Sequence, residues 1–546
     1  MGFEAYSDGS ALGFTSTGGD GPQYFINADL RGTVIVNGKD SLSVHQAGNQ
    51  IIRDEPGWSG ALGAPATVTY GFRATAPATM PDETTGFERF NPTQIVQAEL
   101  ALRAWSDVAN ISFVRVGAGT SGEGAYTDQA TILMADYTTG PKDAAAFAFY
   151  PGSTAASSRA GDLWVDLSDS YNVTPTVGNY GGMVLIHELG HTIGLAHPGD
   201  YGVEDDATPT YAADAGYYED SRQYSVMSYF GEANTGGSFQ GRYAASPLLD
   251  DISAAQQEYG ANFSTRTGDT VYGFNSNAER PWFEATSAAT KLIFAVWDAG
   301  GVDTFDFSGY ASNQVIDLRA GYFSSVGGLV GNVSIAQGVS IEIARGGSGA
   351  DTINGNAASN VIYGGSGQGY LRGNEGNDQI VGGPDFDDIN GNVGADTEWG
   401  GDGRDWVVGG KDNDLLFGEG GDDIVYGNLG DDTAEGGDGA DWVRGGQGDD
   451  TIAGGAGADF MSGDRGSDTI AGGAGADVFN IFSGAGLERV IDFSFAEGDR
   501  VRIEGGGAYT TSQVGADTVV NLGGGDQMVL AGVQLSSLSD GWLTTA

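Results

Sequence analysis

The sequence predicts a multidomain protein in which an α+β domain is followed by an all-β parallel roll and a C-terminal β cap. Three observations predict this architecture. Apolar residues recur at helical spacing up to about Phe263 and not beyond it. A nine-residue repeat then runs without interruption from Gly346 to Asn480. Short strand-like runs follow the repeats. The expected segments are a flexible N-terminus at 1–33, the α+β domain at 34–263, the start of the roll at 264–345, the repeats at 346–480 and the cap at 481–546.

Composition narrows the classes of function. The chain has 546 residues and a net charge of −49, which excludes the basic surface that nucleic-acid binding requires. It has no cysteine, so a transition metal could be held only by histidines and carboxylates. No run of apolar residues is long enough to span a membrane. The first basic residue is Arg31, so no N-terminal secretory signal is expected.

The α+β domain is predicted from helix starts and short apolar runs. Asn91-Pro92 suits an N-cap and first helical position, and Ile95, Ala98, Leu102 and Trp105 follow at helical spacing. Further helices are predicted over Met183–Ala196 and Leu248–Tyr259. The predicted strands are Thr67–Phe72, Ile111–Val116, Ala130–Met134 and Ala144–Tyr150.

A zinc site is predicted within the second helix, where three of the four histidines fall in eleven residues, HELGHTIGLAH. His187 and His191 are four residues apart, so a helix presents both imidazoles on one face. Glu188 lies beside the metal, where a general base for a bound water belongs. Gly194 permits a positive φ, which lets the chain turn so that His197 becomes the third ligand. Three protein ligands leave a position for water and favour a catalytic zinc.

The repeats predict calcium binding. Each nine-residue unit has a Gly-rich turn with Asp at its sixth position and a short strand with an apolar residue at its eighth. Among fifteen units, Asn360 and Gly369 replace the Asp, and Glu398 replaces the apolar residue. Backbone carbonyls and carboxylates are the hard oxygen ligands that Ca²⁺ prefers. The predicted aspartate ligands are Asp351, Asp378, Asp387, Asp396, Asp405, Asp414, Asp423, Asp432, Asp441, Asp450, Asp459, Asp468 and Asp477.

The extended histidine motif, together with the run SVMSYF at 225–230, resembles the serralysin family of metzincin zinc peptidases, whose C-terminal part is a roll of RTX repeats. Segments 197–201, 236–251, 259–262 and 265–274 are similar to the same family. The resemblance implies a secreted, calcium-dependent zinc endopeptidase. It places Met227 beneath the zinc as an apolar floor. It also brings Tyr229 to the tetrahedral intermediate or to the metal as a further ligand, and makes Ala144–Tyr150 the edge strand that pairs with an extended substrate.

The resemblance implies calcium ligands ahead of the repeats and a set of partners. The ligands are backbone oxygens near Arg266, Gly268 and Thr270, followed by Asp298, Gly300, Gly301, Asp303, Ser340 and Glu342. One catalytic Zn²⁺ and several Ca²⁺ ions are the expected cofactors. The expected partners are protein and peptide substrates, a type I secretion machinery and a proteinaceous inhibitor. The protein is expected to be an extracellular monomer, and segment 1–33 could be a propeptide.

The alternatives to a secreted peptidase are a calcium-dependent surface protein and an RTX lipase. The repeat array is longer than expected for a serralysin, which would suit a calcium-dependent adhesin or surface-layer protein with a secondary peptidase domain. The C-terminal residues 540–546 also lack the acidic-then-apolar ending usual in the family. An RTX lipase would need a G-x-S-x-G nucleophile motif, which the chain lacks. The intact zinc motif favours the peptidase.

Overall fold

The fold has the predicted order, an α+β domain followed by a two-sheeted parallel β-roll. It was analysed as a computed structural model, which describes residues 25–53, 57–81, 83–140, 144–152, 160–201 and 208–545. Among these residues no helix is both long and apolar enough to cross a bilayer.

The α+β domain packs its helices against a mixed sheet. The sheet order is β5-β3-β6-β8-β7, with β3, β5, β6 and β8 parallel, β7 antiparallel at one edge, and β4 pairing with β6. The helices are α1 Val44–Ile52, α2 Pro92–Val108, α3 Ser170–Val173, α4 Tyr180–Thr192, α5 Tyr211–Asp214 and α6 Leu249–Tyr259. The strands are β1 Ile35–Val36, β2 Lys39–Asp40, β3 Ala66–Phe72, β4 Thr85–Glu88, β5 Ile111–Arg115, β6 Ile132–Thr139, β7 Ala146–Ala148 and β8 Leu163–Asp166.

Helix α2 begins as its sequence predicts. The Asn91 side chain accepts hydrogen bonds from the backbone N–H groups of Thr93 and Gln94, and Pro92 occupies the first helical position. Ile95 and Trp105 of this helix are fully buried. The prediction of this helix is confirmed.

The roll consists of two parallel sheets built from alternate strands. The strands that lead into it are β9 Val271–Gly273, β10 Phe294–Val296, β11 Thr304–Asp306, β12 Val315–Asp317, β13 Phe323–Ser324, β14 Val333–Ile335 and β15 Ile343–Arg345. The repeat strands are β16 Asp351–Asn354, β17 Val361–Tyr363, β18 Gly369–Glu375, β19 Gln379–Gly383, β20 Asp387–Val393, β21 Thr397–Gly403, β22 Trp406–Lys411, β23 Leu415–Gly421, β24 Ile424–Leu429, β25 Thr433–Gly439, β26 Trp442–Gln447, β27 Thr451–Gly457, β28 Phe460–Gly475 and β29 Val478–Ile481.

The register of the roll repeats every 18 residues, because two nine-residue units make one coil. Ile380, Glu398 and Leu416 are successive partners in the first sheet, which contains β15, β17, β19, β21, β23, β25 and β27. Val407 and Val425 are partners in the second sheet, which contains β16, β18, β20, β22, β24 and β26. Long strand β28 crosses from the second sheet to the first. The eighth residue of each repeat points inward, which gives the roll its narrow apolar core.

The C-terminal strands close the end of the roll. They are β30 Gly486–Val490, β31 Arg500–Ile503, β32 Thr510–Val514, β33 Asp517–Gly523, β34 Asp526–Leu530 and β35 Leu543–Thr545. Strand β30 continues the first sheet and β31 continues the second, while β32, β33 and β34 form an antiparallel meander. The cap expected at 481–546 is therefore built of short strands that extend both sheets.

The N-terminal segment differs from the sequence-based expectation. Residues 1–24 lie outside the described residues, but residues 25–33, expected to be flexible, pack against the α+β domain. Arg31 is 4% exposed and its guanidinium binds Asp250, with Glu219 also nearby. Earlier in the same segment, the backbone N–H of Ile26 donates to the Tyr224 hydroxyl, and the Ile26 oxygen accepts from it. A buried ion pair is a contact between distant residues, so local composition could not indicate it.

Candidate metal centre

The three motif histidines converge on one point. His187 and His191 lie on the buried helix α4, and His197 follows the turn after it. Their Nε2 atoms are separated by 3.1, 3.1 and 3.2 Å. Three nitrogens bound to one zinc at about 2.1 Å, with tetrahedral angles, would lie about 3.4 Å apart. Among the described residues this is the one group of three potential ligand side chains whose ligand atoms lie within 4.8 Å of one another.

Two of the histidines are oriented by backbone carbonyls. His187 Nδ1 lies 2.8 Å from the Val226 oxygen, and His191 Nδ1 lies 2.6 Å from the Leu195 oxygen. A carbonyl oxygen only accepts, so each Nδ1 carries the proton and each Nε2 keeps a lone pair. Burial lowers the pKa of His187 to about 3 and that of His191 to about 4, so both imidazoles are neutral at neutral pH. Converging lone pairs repel one another, and a cation at their centre relieves the repulsion. The donor set fits zinc.

Glu188 is the buried carboxylate nearest in sequence to these ligands. It is 7% exposed, and its Oε2 has no hydrogen-bond partner among the described residues. Burial raises its pKa to about 8. Burial thus gives this carboxylate a higher proton affinity than an exposed glutamate has, which suits a group that takes up and releases a proton.

Three distant side chains hold helix α4 and the turn after it. Trp105 Nε1 donates to the Ile186 oxygen, Trp58 Nε1 to the Thr192 oxygen, and the Tyr259 hydroxyl to the Ile193 oxygen. The Thr192 and Ile193 carbonyls lie at the end of the helix, where they would otherwise lack partners, whereas the Ile186 carbonyl lies within the helix. Gly194 then adopts a φ of 93°, in the left-handed region where glycine alone is unstrained, and the chain turns back toward His197.

Met227 packs against helix α4. It is fully buried, and its Sδ lies close to Gly190, where any Cβ would collide with it. The loop is fixed by Asp251 on α6, which accepts from the Ser225 hydroxyl and from the backbone N–H groups of Val226 and Leu248. Asp251 therefore sets the Val226 carbonyl that orients His187. The sequence reasoning gave Asp251 no role; its only signal was a pair of aspartates at a helix start.

Tyr229 stands over the histidines. Its ring centroid is 4.3 Å from that of His197 and 5.9 Å from that of His187, and the residue remains 44% exposed. Desolvation raises the pKa of Tyr229 to about 12, so its hydroxyl is a donor at neutral pH. Asp220 supports this side, since it accepts from the Tyr201 hydroxyl and the Ser228 hydroxyl at 2.7 Å each. Asp220 was also missed from the sequence.

Strand β7 leads from the sheet edge to the histidines. The Ala145 oxygen accepts from Asp166 N–H of β8, and Phe149 exchanges backbone hydrogen bonds with Gly161 and Asp162, just before β8. By the alternation of an antiparallel ladder, Ala146 and Ala148 present their N–H and C=O groups to the open side. Two residues later the Tyr150 ring meets the His191 ring edge-on at 5.4 Å. The open edge is therefore continuous with the candidate zinc site.

The aspartates of the repeats form two buried rows. Each is at most 2% exposed. The first row holds Asp378, Asp396, Asp414, Asp432, Asp450 and Asp468, and the second holds Asp351, Asp387, Asp405, Asp423, Asp441, Asp459 and Asp477.

Within a row the backbone N–H of one aspartate donates to Oδ1 of the aspartate 18 residues later, as from Asp396 to Asp414 at 2.9 Å. The second oxygen, Oδ2, has no partner among the described residues in any of them except Asp351. Buried, unpartnered carboxylate oxygens beside backbone carbonyls fit Ca²⁺.

The nine residues predicted as calcium ligands ahead of the repeats are only partly brought together. Thr270 N–H donates to Asp303 Oδ1, and Glu342 Oε2 accepts from Asp303 N–H. Gly301 lies against the backbone of Gly268, and the Asp303 carboxylate is buried against that of Asp298.

Among the other predicted ligands, the Asp298 carboxylate contacts that of Asp303, and it accepts from the Tyr272 hydroxyl and from Gly300 N–H. The backbone of Arg266 adopts a φ of 48° and its carbonyl oxygen accepts from Ala299 N–H, while its guanidinium binds Asp107. Ser340 is exposed.

Comparison with known proteins identifies two matching families. Residues 67–206 match the family model described as matrixin, and residues 261–490 match that of the peptidase M10 serralysin C terminal. The chain is 49% identical over 320 residues to serralysin C of Dickeya chrysanthemi, covering 58% of this chain and 65% of that protein. It is 48% identical over 343 residues to metallopeptidase AprA of Pseudomonas marginalis, covering 61% and 69%. The chain thus spans slightly less than two thirds of serralysin C.

Proposed function

Because the chain belongs to the serralysin family of metzincin peptidases, we propose that it is a secreted zinc endopeptidase that cleaves extended protein substrates. The observation that carries the proposal is the convergence of three Nε2 atoms within 3.2 Å of one another. Glu188 follows His187 on the helix, and its buried Oε2 has no partner among the described residues. His187, His191 and His197 would hold the zinc. When bound, zinc supplies a Lewis acid that lowers the pKa of a coordinated water and polarises the scissile carbonyl.

The side chains of this chain perform the remaining steps. Open strand β7 pairs with the substrate backbone and aligns the scissile bond with the histidines. Glu188 accepts the proton of the attacking water and delivers it to the leaving amine. The Tyr229 hydroxyl donates a hydrogen bond to the oxygen on which negative charge develops. Met227, held by Asp251 and its loop, keeps the floor of the site apolar.

We further propose that the roll binds several Ca²⁺ ions through its two aspartate rows and through Gly268, Thr270, Gly301, Asp303 and Glu342. Bound calcium supplies the positive charge that offsets repulsion within each row. Because these carboxylates are buried only when the roll is formed, the free energy of calcium binding contributes to folding. Extracellular calcium modules bind at about 10⁻⁴–10⁻³ M, which would keep the roll unfolded in a cytosol and folded outside.

Replacing Glu188 tests the peptidase directly. Glu188→Gln keeps the size of the side chain but removes the base, so casein hydrolysis should fall by at least about 10²-fold. Zinc content, measured by metal analysis, should stay near one ion per chain. His191→Ala is the matched control, and it should lose both zinc and activity. Equal loss of zinc in the two variants would contradict the assignment of Glu188 as a base.

A calcium-dependent adhesin or surface-layer protein remains the second candidate, favoured by the fifteen repeats. It predicts that the zinc-loaded wild-type protein fails to cleave casein and still binds cell surfaces when calcium is present. Casein cleavage by the wild-type protein would decide for the peptidase.

A further inference from the structure

One residue interrupts the apolar interior of the roll. Glu398 occupies the eighth position of its repeat, between Ile380 and Leu416 in the register of the first sheet. It is 0% exposed, and neither Oε1 nor Oε2 has a hydrogen-bond partner among the described residues. Fourteen of the fifteen repeats have an apolar residue at this position. A carboxylate here costs several kcal/mol of desolvation unless something compensates it.

The surroundings of Glu398 are acidic. Asp396 and Asp414 of the first row both act on its carboxylate and disfavour its charge. The nearby guanidinium is that of Arg372, which already binds the Asp388 carboxylate and the carbonyl oxygens of Leu371 and Asp388. The described side chains therefore leave this group of carboxylates without a cation of its own.

Glu398 and Asp396 converge on the same turn. Asp396 Oδ2, which lacks a partner, fills the space beside Gly391 that a Cβ would take. The backbone N–H of Gly391 also faces Glu398 and favours its ionised form. Since alternate residues of a strand point to one face, the side chains of residues 396 and 398 both enter the roll. The turn beginning at Gly391 is thus approached by two carboxylates of its own repeat. The turn at Gly463 is also approached by two, those of Asp468 and of Glu488 in the cap, whereas the other turns of the first row have only that of their own aspartate.

We propose that Glu398 is a calcium ligand and that, with Asp396 and backbone carbonyls of the turn at 391–396, it forms a calcium site of higher affinity than the turns of the first row that have one carboxylate. This inference rests on the proposed calcium binding by the aspartate rows. An added carboxylate increases the negative charge of the ligand set, and ligand charge is one of the factors that set calcium affinity. The oxygen-only donor set selects Ca²⁺ over zinc.

Two substitutions distinguish whether Glu398 is a calcium ligand or a buried neutral acid. Glu398→Leu introduces a leucine, the residue type found at the equivalent position 416 of the next coil, so the side chain should fit the interior of the roll. Glu398→Gln keeps the shape and removes the charge. Glu435→Gln is the matched control, because Glu435 projects outward from the same sheet and is exposed.

Calcium binding to the full-length wild-type protein and the three variants should be measured by calorimetric titration in chelator-buffered solutions. Glu398→Leu and Glu398→Gln should each weaken one of the high-affinity sites by about tenfold or more, while Glu435→Gln leaves every site unchanged. High-affinity sites that keep their number and affinity in either Glu398 variant would overturn the proposal, because a neutral buried acid contributes nothing to calcium affinity. If Glu398→Leu does not fold at saturating calcium, Glu398→Gln decides. A wild-type protein that binds no calcium would instead overturn the proposed role of the rows, independently of Glu398.

Discussion

Tyr229 is the residue of the zinc site with the most freedom to approach a substrate. It is 44% exposed, whereas His187, Glu188 and His191 are all below 10%. An exposed phenol beside the histidines can move onto an oxyanion that forms only during reaction.

Tyr229→Phe removes that donor and leaves the ring in place. We expect kcat to fall roughly 10²–10³-fold with little change in KM, because the hydrogen bond is made only in the transition state. Steady-state kinetics on a peptide substrate measure both constants. Tyr509→Phe is the control, since Tyr509 is a similarly exposed tyrosine in the cap. A Tyr229→Phe enzyme within a factor of about two of wild type would contradict the role.

The residues of the site that could be predicted from the sequence are those whose spacing indicates metal binding. Residues that orient the site through hydrogen bonds from distant positions could not be predicted. His187, His191 and His197 follow a spacing that is typical of ligands to one metal ion. Asp220 and Asp251 reach the site through hydrogen bonds to Ser228 and Ser225, and nothing in their local sequence indicates those partners. Side chains that orient a site from another element become visible only when the fold brings them there.

Strand β7 is the element on which substrate alignment depends. Its outward N–H and C=O groups belong to Ala146 and Ala148, while Ala145 and Phe149 are bonded to β8 and to the residues just before it. A substitution at Ala146 or Ala148 can therefore change the outward backbone groups and keep the hydrogen bonds between β7 and the neighbouring strand.

Ala148→Pro removes one outward N–H, so a bound peptide should lose a main-chain hydrogen bond. Such a bond contributes about 0.5–1.5 kcal/mol, so kcat/KM for a long peptide should fall roughly 2- to 10-fold. Ala148→Val keeps the N–H and serves as the control for size. Substrates too short to reach the strand should be affected less. Equal loss with Ala148→Val would place the effect in side-chain packing instead.

Elements were predictable where their own residues specify them. The Asn91-Pro92 cap located α2 to the residue, and the repeats gave the roll its period. Helix α1 and strand β8 were not predicted. Helix α1 is short, and its capping box of Ser43 and Gln46 precedes no long apolar pattern. Strand β8, with the sequence LWVD, is four buried residues whose role depends on β6 and β7 on either side.

The electrostatics of the whole roll are governed by carboxylates that are harder to ionise when folded. Burial, aided in several cases by neighbouring aspartates, raises the pKa of Asp378, Asp405 and Asp450 to about 7 and that of Asp414 to about 8. In the unfolded chain these groups titrate near 3.8. Between those values the folded roll binds more protons than the unfolded chain, so without calcium its free energy of unfolding falls as pH rises.

In EDTA the full-length protein should therefore show more β-structure at about pH 5 than at about pH 8, as measured by far-ultraviolet circular dichroism. Adding millimolar calcium at the higher pH should restore the β-signal, because the ion replaces the protons. Magnesium is the control and should restore little, since it gives up its waters reluctantly. A β-signal in EDTA that is constant or rises with pH would show that the rows do not govern folding.

The 18-residue register of the roll also limits how its gene can change in length. Loss or gain of a single repeat would move every later strand to the opposite sheet. Trp406 and Trp442, which are 50% and 43% exposed on the second sheet, would then exchange faces with the threonines of the first, such as Thr433 and Thr451. Loss or gain of two repeats preserves each sheet, each aspartate row and each hydrogen bond from one coil to the next. We therefore expect related arrays to differ in length by even numbers of repeats, that is, by whole coils of 18 residues.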